Sequence, residues 1–328
     1  MISSDKNNIL KKVISSMKEK SSWVIVCHEN PDGDTIGCGL ALYSLAIRLG
    51  KKVSIVGKDP FPDRYQFIPY SDQYLQCLDI SDNKINDLII CVDISNESRA
   101  IKGIEKLTKL GSLTINIDHH GDNTKYCSLN LIVPEASATA EIITDIFIDG
   151  DFGMMDNEAT ALYVALSTDN GNFRFSSTTA YSHICASYLL YAGAQQSEID
   201  DFVNQNLTML TLKLWGKAFS RTEILANGKA ALFWLREEDI KSAGANLSAV
   251  DGLVNKLMRI KGVNIAVLLC ELDGTNKLSI RTRSPYSARE IASVFGGGGH
   301  IQAAGAKVDG DFSKVLLKLR AELEKQCV

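Results

Sequence analysis

Histidine and aspartate residues cluster in three short segments, which read HENPDGD (28–34), DHH (118–120) and GGGGH (296–300). Four of the five histidines of the protein lie in these segments. Taken singly, each aspartate has a simpler explanation as a turn residue or a helix N-cap, and Asp34 could cap a helix that begins at Thr35. Taken together, carboxylates and imidazoles form a mixed ligand set for divalent metal ions.

Predicted strands end directly before two residues of these segments and before a further aspartate, Asp93. The apolar runs VIVC, LIICV and LTINI precede His28, Asp93 and Asp118. Nearly continuous apolar runs are typical of parallel strands that are buried on both faces. Ligands of open parallel sheets bind beyond the carboxyl ends of the strands, so we expect these residues to converge in space. A fourth candidate, Asp169, follows the apolar helical pattern ATALYVALST.

The order of the patterns along the 328 residues predicts an α/β protein with two domains. In residues 1–197, strand patterns (SWVIVC, KKVSIVG, NDLIICVD and SLTINID) alternate with helical patterns, one of them over 97–111. This alternation predicts a doubly wound, mostly parallel sheet. Residues 198–220 are interpreted as a helical connector. Residues 221–328 predict a smaller α+β domain, with an Asn-Gly turn between its first two strands and a helix over 249–260.

Composition limits the partners of the protein. The net charge is −4, which disfavours binding of long duplex nucleic acid. No apolar run of about 18 residues occurs, and the first residues lack an apolar signal region, so no membrane segment is predicted. Eight cysteines are scattered without a CxxC pair. This distribution suits buried thiols in a reducing compartment, and we expect a cytoplasmic protein.

Four segments in chain order, HENPDGDTIG, VDIS, DHHGDN and STDNGNF, resemble the successive motifs of the DHH phosphoesterase superfamily. SIRTR and FGGGGHIQAAGA resemble the C-terminal DHH-associated domain of that superfamily. The combination is most similar to the group of bifunctional oligoribonucleases (nanoRNases) and 3′-phosphoadenosine 5′-phosphate phosphatases. The resemblance covers nearly the whole chain.

The resemblance implies a site for two metal ions. One ion would be bound by His28 and Asp32, the other by Asp34, His119 and Asp169, and Asp93 would bridge both. Asp118 resembles the acid that orients a neighbouring group, and His120 resembles the residue that faces the scissile phosphate. Four carboxylates and two imidazoles without thiolates favour Mn²⁺, although Mg²⁺, Co²⁺ and Fe²⁺ are also compatible with them.

This ligand set suits phosphoryl chemistry. Two metal ions about 3.5–4 Å apart can share a hydroxide that attacks phosphorus and can clamp the oxygens of an in-line displacement. A protonated His120 could donate a proton to the leaving oxygen. Two divalent ions roughly balance four carboxylates, so an anionic substrate needs further positive charge. We expect the second domain to supply it.

In the second domain, the glycine run indicates a close approach of the backbone to a phosphate, because only glycine permits it sterically. The alternative, a flexible linker, is disfavoured by the position of the run between a helix and a strand. The predicted substrate-binding residues are Arg281, Arg283, Gly297, Gly298, Gly299 and His300. Arg281 and Arg283 alternate on one strand and share a face; for Arg283 and for Arg289 solvated surface charge is the more common alternative. The active site would then lie in the cleft between the domains.

These features predict a metal-dependent phosphoesterase that hydrolyses very short oligoribonucleotides to mononucleotides and also acts on 3′-phosphoadenosine 5′-phosphate. Two alternatives share the fold, a family II-like inorganic pyrophosphatase and a non-catalytic nucleotide-binding sensor. Phe173 and Phe175 could stack on a base or pack in the core. The family resemblance further implies a homodimer.

Overall fold

The computed structural model describes residues 4–77, 79–80, 87–109, 112–205, 207–244, 250, 252–272 and 274–326. The chain divides into two compact units, Met1–Asn206 and Leu207–Val328. In the described ranges, no helix combines the length and apolar character needed to cross a membrane.

The first unit is built on a six-stranded sheet in which all neighbouring strands are parallel. Its strands are Ser22–Cys27 (β1), Lys52–Gly57 (β2), Tyr74–Gln76 (β3), Leu88–Val92 (β4), Leu113–Asp118 (β5) and Leu129–Ile132 (β6). They lie in the order β3-β2-β1-β4-β5-β6. The strand order reverses between β1 and β4, and a crevice for ligands is expected at the carboxyl ends of strands at such a point.

Helices cover the two faces of this sheet unequally. The helices are Ser4–Glu19 (α1), Gly33–Arg48 (α2), Ile104–Lys109 (α3), Thr139–Asp149 (α4), Asp156–Asp169 (α5), Ala180–Tyr191 (α6) and Gln196–Ile199 (α7). Trp23 and Ile25 of β1 face a large core formed with α1, α2, α4, α5 and α6. Val24 and Val26 face a smaller core that includes Ile104 of α3. Because side chains alternate along a strand, burial on both faces explains the unbroken apolar run of β1.

The second unit contains a six-stranded mixed sheet. Its strands are Glu223–Leu225 (β7), Ala230–Leu235 (β8), Ile265–Leu272 (β9), Thr275–Thr282 (β10), Gly298–Gly299 (β11) and Ala303–Asp309 (β12). They lie in the order β11-β12-β10-β9-β8-β7, and among the described pairs of this sheet only β8 and β9 are parallel. The predicted α/β architecture with a parallel sheet and a smaller α+β domain is confirmed.

Five helices pack on the sheet of the second unit. They are Met209–Ser220 (α8), Glu237–Ser242 (α9), Val254–Leu257 (α10), Ala288–Ser293 (α11) and Phe312–Lys325 (α12). Leu278 and Ile280 of β10 face a core formed with α11 and α12. Leu268 of β9 faces the opposite core, which contains residues of α8, α9 and α10.

Three predicted helices differ from the structure. The helix predicted over 97–111 is a 3₁₀ turn, Glu97–Arg99, followed by α3, because Ala100 is extended and Gly103 has a φ of +99°. Residues 110–111 lie outside the described residues. The predicted helical connector, residues 198–220, consists of two helical segments. A π-helical turn ends at Asn204, and Thr208 caps a new helix.

The helix predicted over 249–260 is the short α10, and Ala249 lies outside the described residues. Gly252 has a φ of +71°, which is incompatible with a helix that begins before it. The strands β3 and β6 were not predicted from the sequence. Both are short, and partly or fully exposed residues break their apolar patterns.

Candidate metal centre

His28 is the first residue after β1 and is 2% exposed. Its Nδ1 lies 2.7 Å from the backbone oxygen of Glu29, an acceptor that fixes the ring proton on Nδ1. Nε2 then faces inward, 3.4 Å from Asp93 Oδ2 and 3.5 Å from Asp32 Oδ1. The Glu29 side chain instead forms an ion pair with Lys58 at 2.7 Å. A metal-binding histidine is oriented in this way when its second nitrogen donates to a carbonyl.

Asp32 is the N-cap of α2 and accepts hydrogen bonds from the backbone N–H groups of Asp34 at 3.0 Å and Thr35 at 3.3 Å. The helix begins at Gly33, so the interpretation of Asp34 as the cap of a helix beginning at Thr35 is wrong. A Cβ at Gly33 would lie 2.2 Å from Thr168 Oγ1. Glycine therefore lets the start of α2 approach the end of α5.

Asp34 is buried in the first turn of α2, and its carboxylate meets the start of α4. Oδ2 accepts from the backbone N–H of Thr139 at 2.7 Å, and Oδ1 accepts from that of Ala140 at 3.2 Å. The N-terminus of a helix carries partial positive charge, which stabilises a carboxylate there. Thr139 was not identified from the sequence, although it contacts two of the predicted ligands.

Asp93 follows β4 and lies at the centre of the cluster. Its backbone has a φ of +61°, an uncommon conformation for a residue other than glycine. The Thr139 hydroxyl donates to Oδ1 at 3.0 Å. Oδ1 lies 3.6 Å from His119 Nε2, while Oδ2 is the atom near His28. Such local strain persists only when surrounding contacts hold it, and it is frequent at functional sites.

Asp118 ends β5 and is fully buried. Its Oδ1 accepts from the backbone N–H groups of His119 and His120 and lies 2.7 Å from His120 Nδ1. Its Oδ2 accepts from the side-chain amide of Asn123 at 2.6 Å. Asp118 therefore orients His120 and does not face the other carboxylates.

His119 has a different environment from His120. Its Nδ1 lies 3.2 Å from the backbone oxygen of Ala136, and its Nε2 lies 3.4 Å from Asp169 Oδ2. Asp169 is the last residue of α5, as its position after the apolar helical pattern indicated. Both His28 and His119 thus present Nε2 to aspartates while Nδ1 faces a backbone carbonyl.

The structure brings the predicted ligands together in three groups, and within each group the ligand atoms lie within 4.8 Å of one another. The groups are His28, Asp32 and Asp93; Asp34, His119 and Asp169; and Asp93, His119 and His120. The imidazole–carboxylate separations of 3.4–3.6 Å exceed ordinary hydrogen bonds. This spacing is compatible with a cation bound between the paired atoms. The donor set fits divalent cations, and metal binding by each residue stays a prediction.

The crowded carboxylates shift several pKa values. Burial, reinforced by Asp93 and Asp169, raises the pKa of Asp34 well above its usual range. Burial, opposed by His119, raises the pKa of Asp169 to about 7. Burial disfavours charged His28, but its ion pairs with Asp32 and Asp93 prevail and raise its pKa to about 10. Concentrated negative charge of this kind marks a candidate cation site.

The pKa of His120 is raised to about 9, because hydrogen bonding to Asp118 outweighs the effect of burial. Burial also opposes ionisation of Asp118, but the hydrogen bonds from His120 and Asn123 prevail and lower its pKa. In the metal-free site, both shifts favour the ion pair of a His120 imidazolium with the Asp118 carboxylate.

Arg99 is a positively charged residue of this unit that the sequence did not mark. Its guanidinium lies 3.5 Å from His28 Nδ1, and its charge counteracts protonation of His120. Its backbone oxygen accepts from the N–H of Glu29 at 2.9 Å. No carboxylate of the described residues forms an ion pair with Arg99. The sequence pattern did not indicate a functional role for Arg99, because this residue falls within the stretch 97–111 that is predicted to be a helix.

The predicted substrate-binding residues all lie in the second unit. A Cβ at Gly297 would lie 2.1 Å from the backbone oxygen of Gly305, and Gly299 has a φ of +136°. The backbone N–H of His300 donates to the Ala303 oxygen at 2.8 Å. The glycine segment is thus paired closely with β12, and its glycines permit a close approach of two strands.

The two arginines of SIRTR have different contacts. The Arg281 guanidinium donates to its neighbouring Ile280 oxygen at 3.0 Å, and burial lowers its pKa. The Arg283 guanidinium donates to the backbone oxygens of Val263 at 2.8 Å and Met258 at 2.5 Å. Arg283 therefore anchors the segment between α10 and β9; phosphate binding by either arginine stays a prediction.

The two phenylalanines near Asp169 also differ. The Phe173 ring stacks on His183 with a centroid distance of 5.1 Å and packs against the large core of the first unit. Phe175 is 45% exposed and is the better placed of the two to contact a base.

Comparisons with known proteins identify the family of the chain. Residues 22–166 match the DHH family, N-terminal domain, and residues 228–327 match the DHHA1 domain. The bifunctional oligoribonuclease and PAP phosphatase NrnA of Thermus thermophilus is 31% identical over 92% of this chain and 90% of the relative. The protein of the same name from Bacillus subtilis is 27% identical over 86% and 87% of the two chains.

A solved structure shows the same architecture. The exopolyphosphatase-related protein from Bacteroides fragilis superimposes with a TM-score of 0.90 at 25% identity, covering 97% of this chain and 96% of that one. RecJ from Thermus thermophilus in complex with Mn²⁺ shares the fold at 13% identity, with a TM-score of 0.52 over all of this chain and 55% of that one. The chain therefore belongs to the DHH family, and its second unit carries the DHHA1 domain.

Proposed function

We propose that this hydrolase of the DHH family is a divalent-metal-dependent phosphoesterase. Its substrates would be very short oligoribonucleotides, cleaved to mononucleotides, and 3′-phosphoadenosine 5′-phosphate, converted to AMP. The observation that carries the proposal is the position of Asp93. One carboxylate oxygen faces His28 and the other faces His119, so a single side chain joins the two groups of predicted ligands. The names of the NrnA relatives support the substrate class.

The predicted ligands would hold two ions, one with His28 and Asp32 and one with Asp34, His119 and Asp169, and Asp93 would bridge them. When bound, two divalent cations activate a water molecule and withdraw electron density from a phosphate group. The set of carboxylates and imidazoles supports Mn²⁺, with Mg²⁺ and Co²⁺ as further compatible ions.

The other residues of the site supply a proton and a charge. His120 donates its Nδ1 proton to Asp118, so the imidazolium can transfer its Nε2 proton to the leaving oxygen. Asp118, held by Asn123, keeps the ring oriented during this transfer. Arg99 adds positive charge beside His28, within the first unit itself. The second unit stays a predicted source of further positive charge.

The remaining features belong to the same proposal. Gly297, Gly298, Gly299, His300 and Arg281 would bind the nucleotide beyond the scissile phosphate. A homodimer is proposed from family membership. Seven cysteines of the described chain are free thiols, which supports a reducing, cytoplasmic location.

The test is the Asp93→Asn variant, assayed with Mn²⁺ on di- to pentaribonucleotides, 3′-phosphoadenosine 5′-phosphate, pyrophosphate and single-stranded DNA. We expect loss of dinucleotide hydrolysis by at least about 10³-fold, because removing a bridging charge weakens both ions. Bound metal is measured on the same samples. Asp72→Asn, at an exposed 3₁₀ turn of the same unit, is the control.

Full activity of Asp93→Asn would contradict the mechanism. Rapid hydrolysis of pyrophosphate without cleavage of dinucleotides would instead identify a family II-like pyrophosphatase. Absence of bound metal after exposure to Mn²⁺, together with inactivity on every substrate, would favour the nucleotide sensor.

A further inference from the structure

The helix α4 begins at Thr139 without a side-chain cap of its own. Its N-cap is Ala138, which has no polar side-chain atom, although serine, threonine, asparagine and aspartate are preferred at this position. The first two backbone N–H groups of the helix donate instead to the carboxylate of Asp34, a residue of α2. A predicted metal ligand therefore completes the start of α4, and the same contact fixes the orientation of that ligand.

The segment 136–140, which contains this helix start, also orients two further predicted ligands. The Ala136 oxygen lies 3.2 Å from His119 Nδ1, and the Thr139 hydroxyl donates to Asp93 Oδ1 at 3.0 Å. This oxygen of Asp93 is the one that faces His119. The three ligands oriented by the segment share one predicted ion site: Asp34, Asp93 and His119.

The other predicted ion site has different supports. His28 is oriented by the backbone oxygen of Glu29, and Asp32 accepts from the first N–H groups of α2. In the described parts of the chain, neither His28 nor Asp32 forms a hydrogen bond with segment 136–140. A displacement of that segment should therefore disturb one ion site and spare the other.

The segment is itself held by a buried chain of hydrogen bonds. The backbone N–H of Thr179, at the start of α6, donates to Ser182 Oγ at 2.9 Å. The Ser182 hydroxyl donates to Ser137 Oγ at 2.9 Å, and the Ser137 hydroxyl donates to Glu141 Oε1 at 2.6 Å. Hydroxyls that accept and donate in sequence strengthen one another, and Glu141 is the final acceptor of the chain.

Glu141 is an uncommon residue to bury without a cation. It is 2% exposed, and no lysine, arginine or histidine of the described residues forms an ion pair with it. A buried carboxyl group is unfavourable unless hydrogen bonds compensate for its lost hydration. Glu158 occupies the same third position in α5 and is also buried, but it forms an ion pair with Arg48 at 3.1 Å. The two glutamates thus have the same place in a helix and different partners.

We propose that Ser137, Glu141 and Ser182 are positioning residues for only one of the two predicted ions, the ion that His119 would bind. They hold segment 136–140, and this segment orients the ligands. Ligands of a metal site must be held within about 0.5 Å of their productive geometry, so small shifts of the segment matter. The inference rests on the proposed function, and it adds that the two ion sites are supported separately.

The test is a titration of full-length, metal-free protein with Mn²⁺, in which EPR spectroscopy measures the unbound ion. Wild-type protein should bind two ions. In Glu141→Met, one Kd should rise by about 10–100-fold, the range for partners that orient metal ligands, while the other changes little. Glu141→Gln should restore the affinity, because its amide oxygen still accepts from the Ser137 hydroxyl.

Ser137→Ala and Ser182→Ala interrupt the chain without removing a carboxyl group, and they should raise the same Kd. Glu158→Met is the matched control for Glu141→Met, because it removes a buried glutamate that lies about 16 Å from Asp169 along α5. It should lower the free energy of unfolding and leave both Kd values unchanged. Circular dichroism checks that each variant is folded, and the serine variants carry the test if Glu141→Met does not fold.

Two outcomes would overturn the inference. One is an unchanged affinity for both ions in the folded variants of Ser137, Glu141 and Ser182. The other is an equal rise of both Kd values, which would assign these residues a general structural role. Absence of bound Mn²⁺ in the wild-type protein would contradict the proposed function as well, so the wild-type titration distinguishes the two failures.

Discussion

The candidate metal centre of the first unit and the face of β10 that carries Lys277, Ser279 and Arg281 differ in how their side chains are held. In the first unit, His28, Asp34 and His119 each use a second atom to contact the backbone, which fixes the atom that faces the cluster. In the second unit, the side chains of Lys277 and Ser279 make no such backbone contact within the described residues. The first region is therefore preorganised, and the second can adapt to a ligand.

The two regions also differ in charge. Carboxylates are crowded at the strand ends of the first unit, whereas Lys277 and Arg281 share one face of β10 in the second unit. We therefore expect substitutions in the first region to change the rate of hydrolysis, and substitutions in the second to change affinity and specificity.

The largest effect on catalysis, which would separate the two regions most clearly, is expected for the His120→Asn variant. Loss of a general acid should lower kcat by about 10²–10⁴-fold with little change in KM. Steady-state kinetics on a dinucleotide measure both constants. His183→Asn, which removes an imidazole that stacks on Phe173, is the matched control and should retain activity within a few-fold. A rise in KM with unchanged kcat would assign His120 to binding.

Arg99→Met is expected to have the next largest effect. Removal of the unpaired charge beside His28 should lower kcat/KM by about 10–100-fold, the range for a hydrogen bond to a charged group. Arg99→Lys should retain part of the activity, because it keeps the charge without the planar guanidinium. Arg64→Met, near Tyr65 in the same unit, controls for loss of an arginine. Wild-type kinetics in Arg99→Met would show that Arg99 does not supply positive charge to the substrate. The second unit would then stay the predicted source of that charge.

Metal affinity should depend on pH, because metal ligands must be deprotonated. In the metal-free protein the pKa of His28 is about 10 and that of Asp169 is about 7, so both hold protons that a metal must displace at pH 6. The Kd for Mn²⁺ should therefore fall by about tenfold or more per unit as pH rises from 6 to 8. Calorimetry in two buffers with different ionisation enthalpies also counts the released protons. Affinity that is independent of pH would contradict this arrangement.

The smallest expected effect on catalysis belongs to Arg283→Met in the second unit. Its guanidinium bonds to the oxygens of Met258 and Val263, so its loss should lower the free energy of unfolding by about 1–3 kcal/mol. Urea denaturation followed by tryptophan fluorescence measures this change, and Arg289→Met, at an exposed position of α11, is the control. A large rise in KM without loss of stability would support phosphate binding by Arg283.

Much of the site could be predicted because its residues follow apolar strands. A strand buried on both faces leaves a clear pattern, and His28, Asp93 and Asp118 mark the points where three such strands end. Parallel topology then brings these ends to one edge without any knowledge of side-chain contacts. The motif HENPDGD also indicated a turn before a helix, although the cap proved to be Asp32 and not Asp34.

Residues that reach the site only through tertiary contacts are not marked by any pattern in the sequence. Thr139 and Arg99 reach the cluster only because α4 begins, and the 3₁₀ turn after β4 ends, next to it. Likewise, Lys277 could not be distinguished from an exposed lysine, because the sequence does not show which face of β10 remains uncovered. Gly103 and Gly252 changed the predicted helices through backbone conformations that a periodic pattern does not reveal.

The position of Asp169 has a consequence for the biogenesis of the protein. The predicted ligands extend from residue 28 to residue 169 of the chain, and the last of them enters only with the end of α5. A nascent chain emerging from the ribosome therefore cannot assemble the complete set until about half of the protein has been synthesised. If these residues bind metal as proposed, a truncated chain that ends before Asp169 should bind Mn²⁺ more weakly than the full chain.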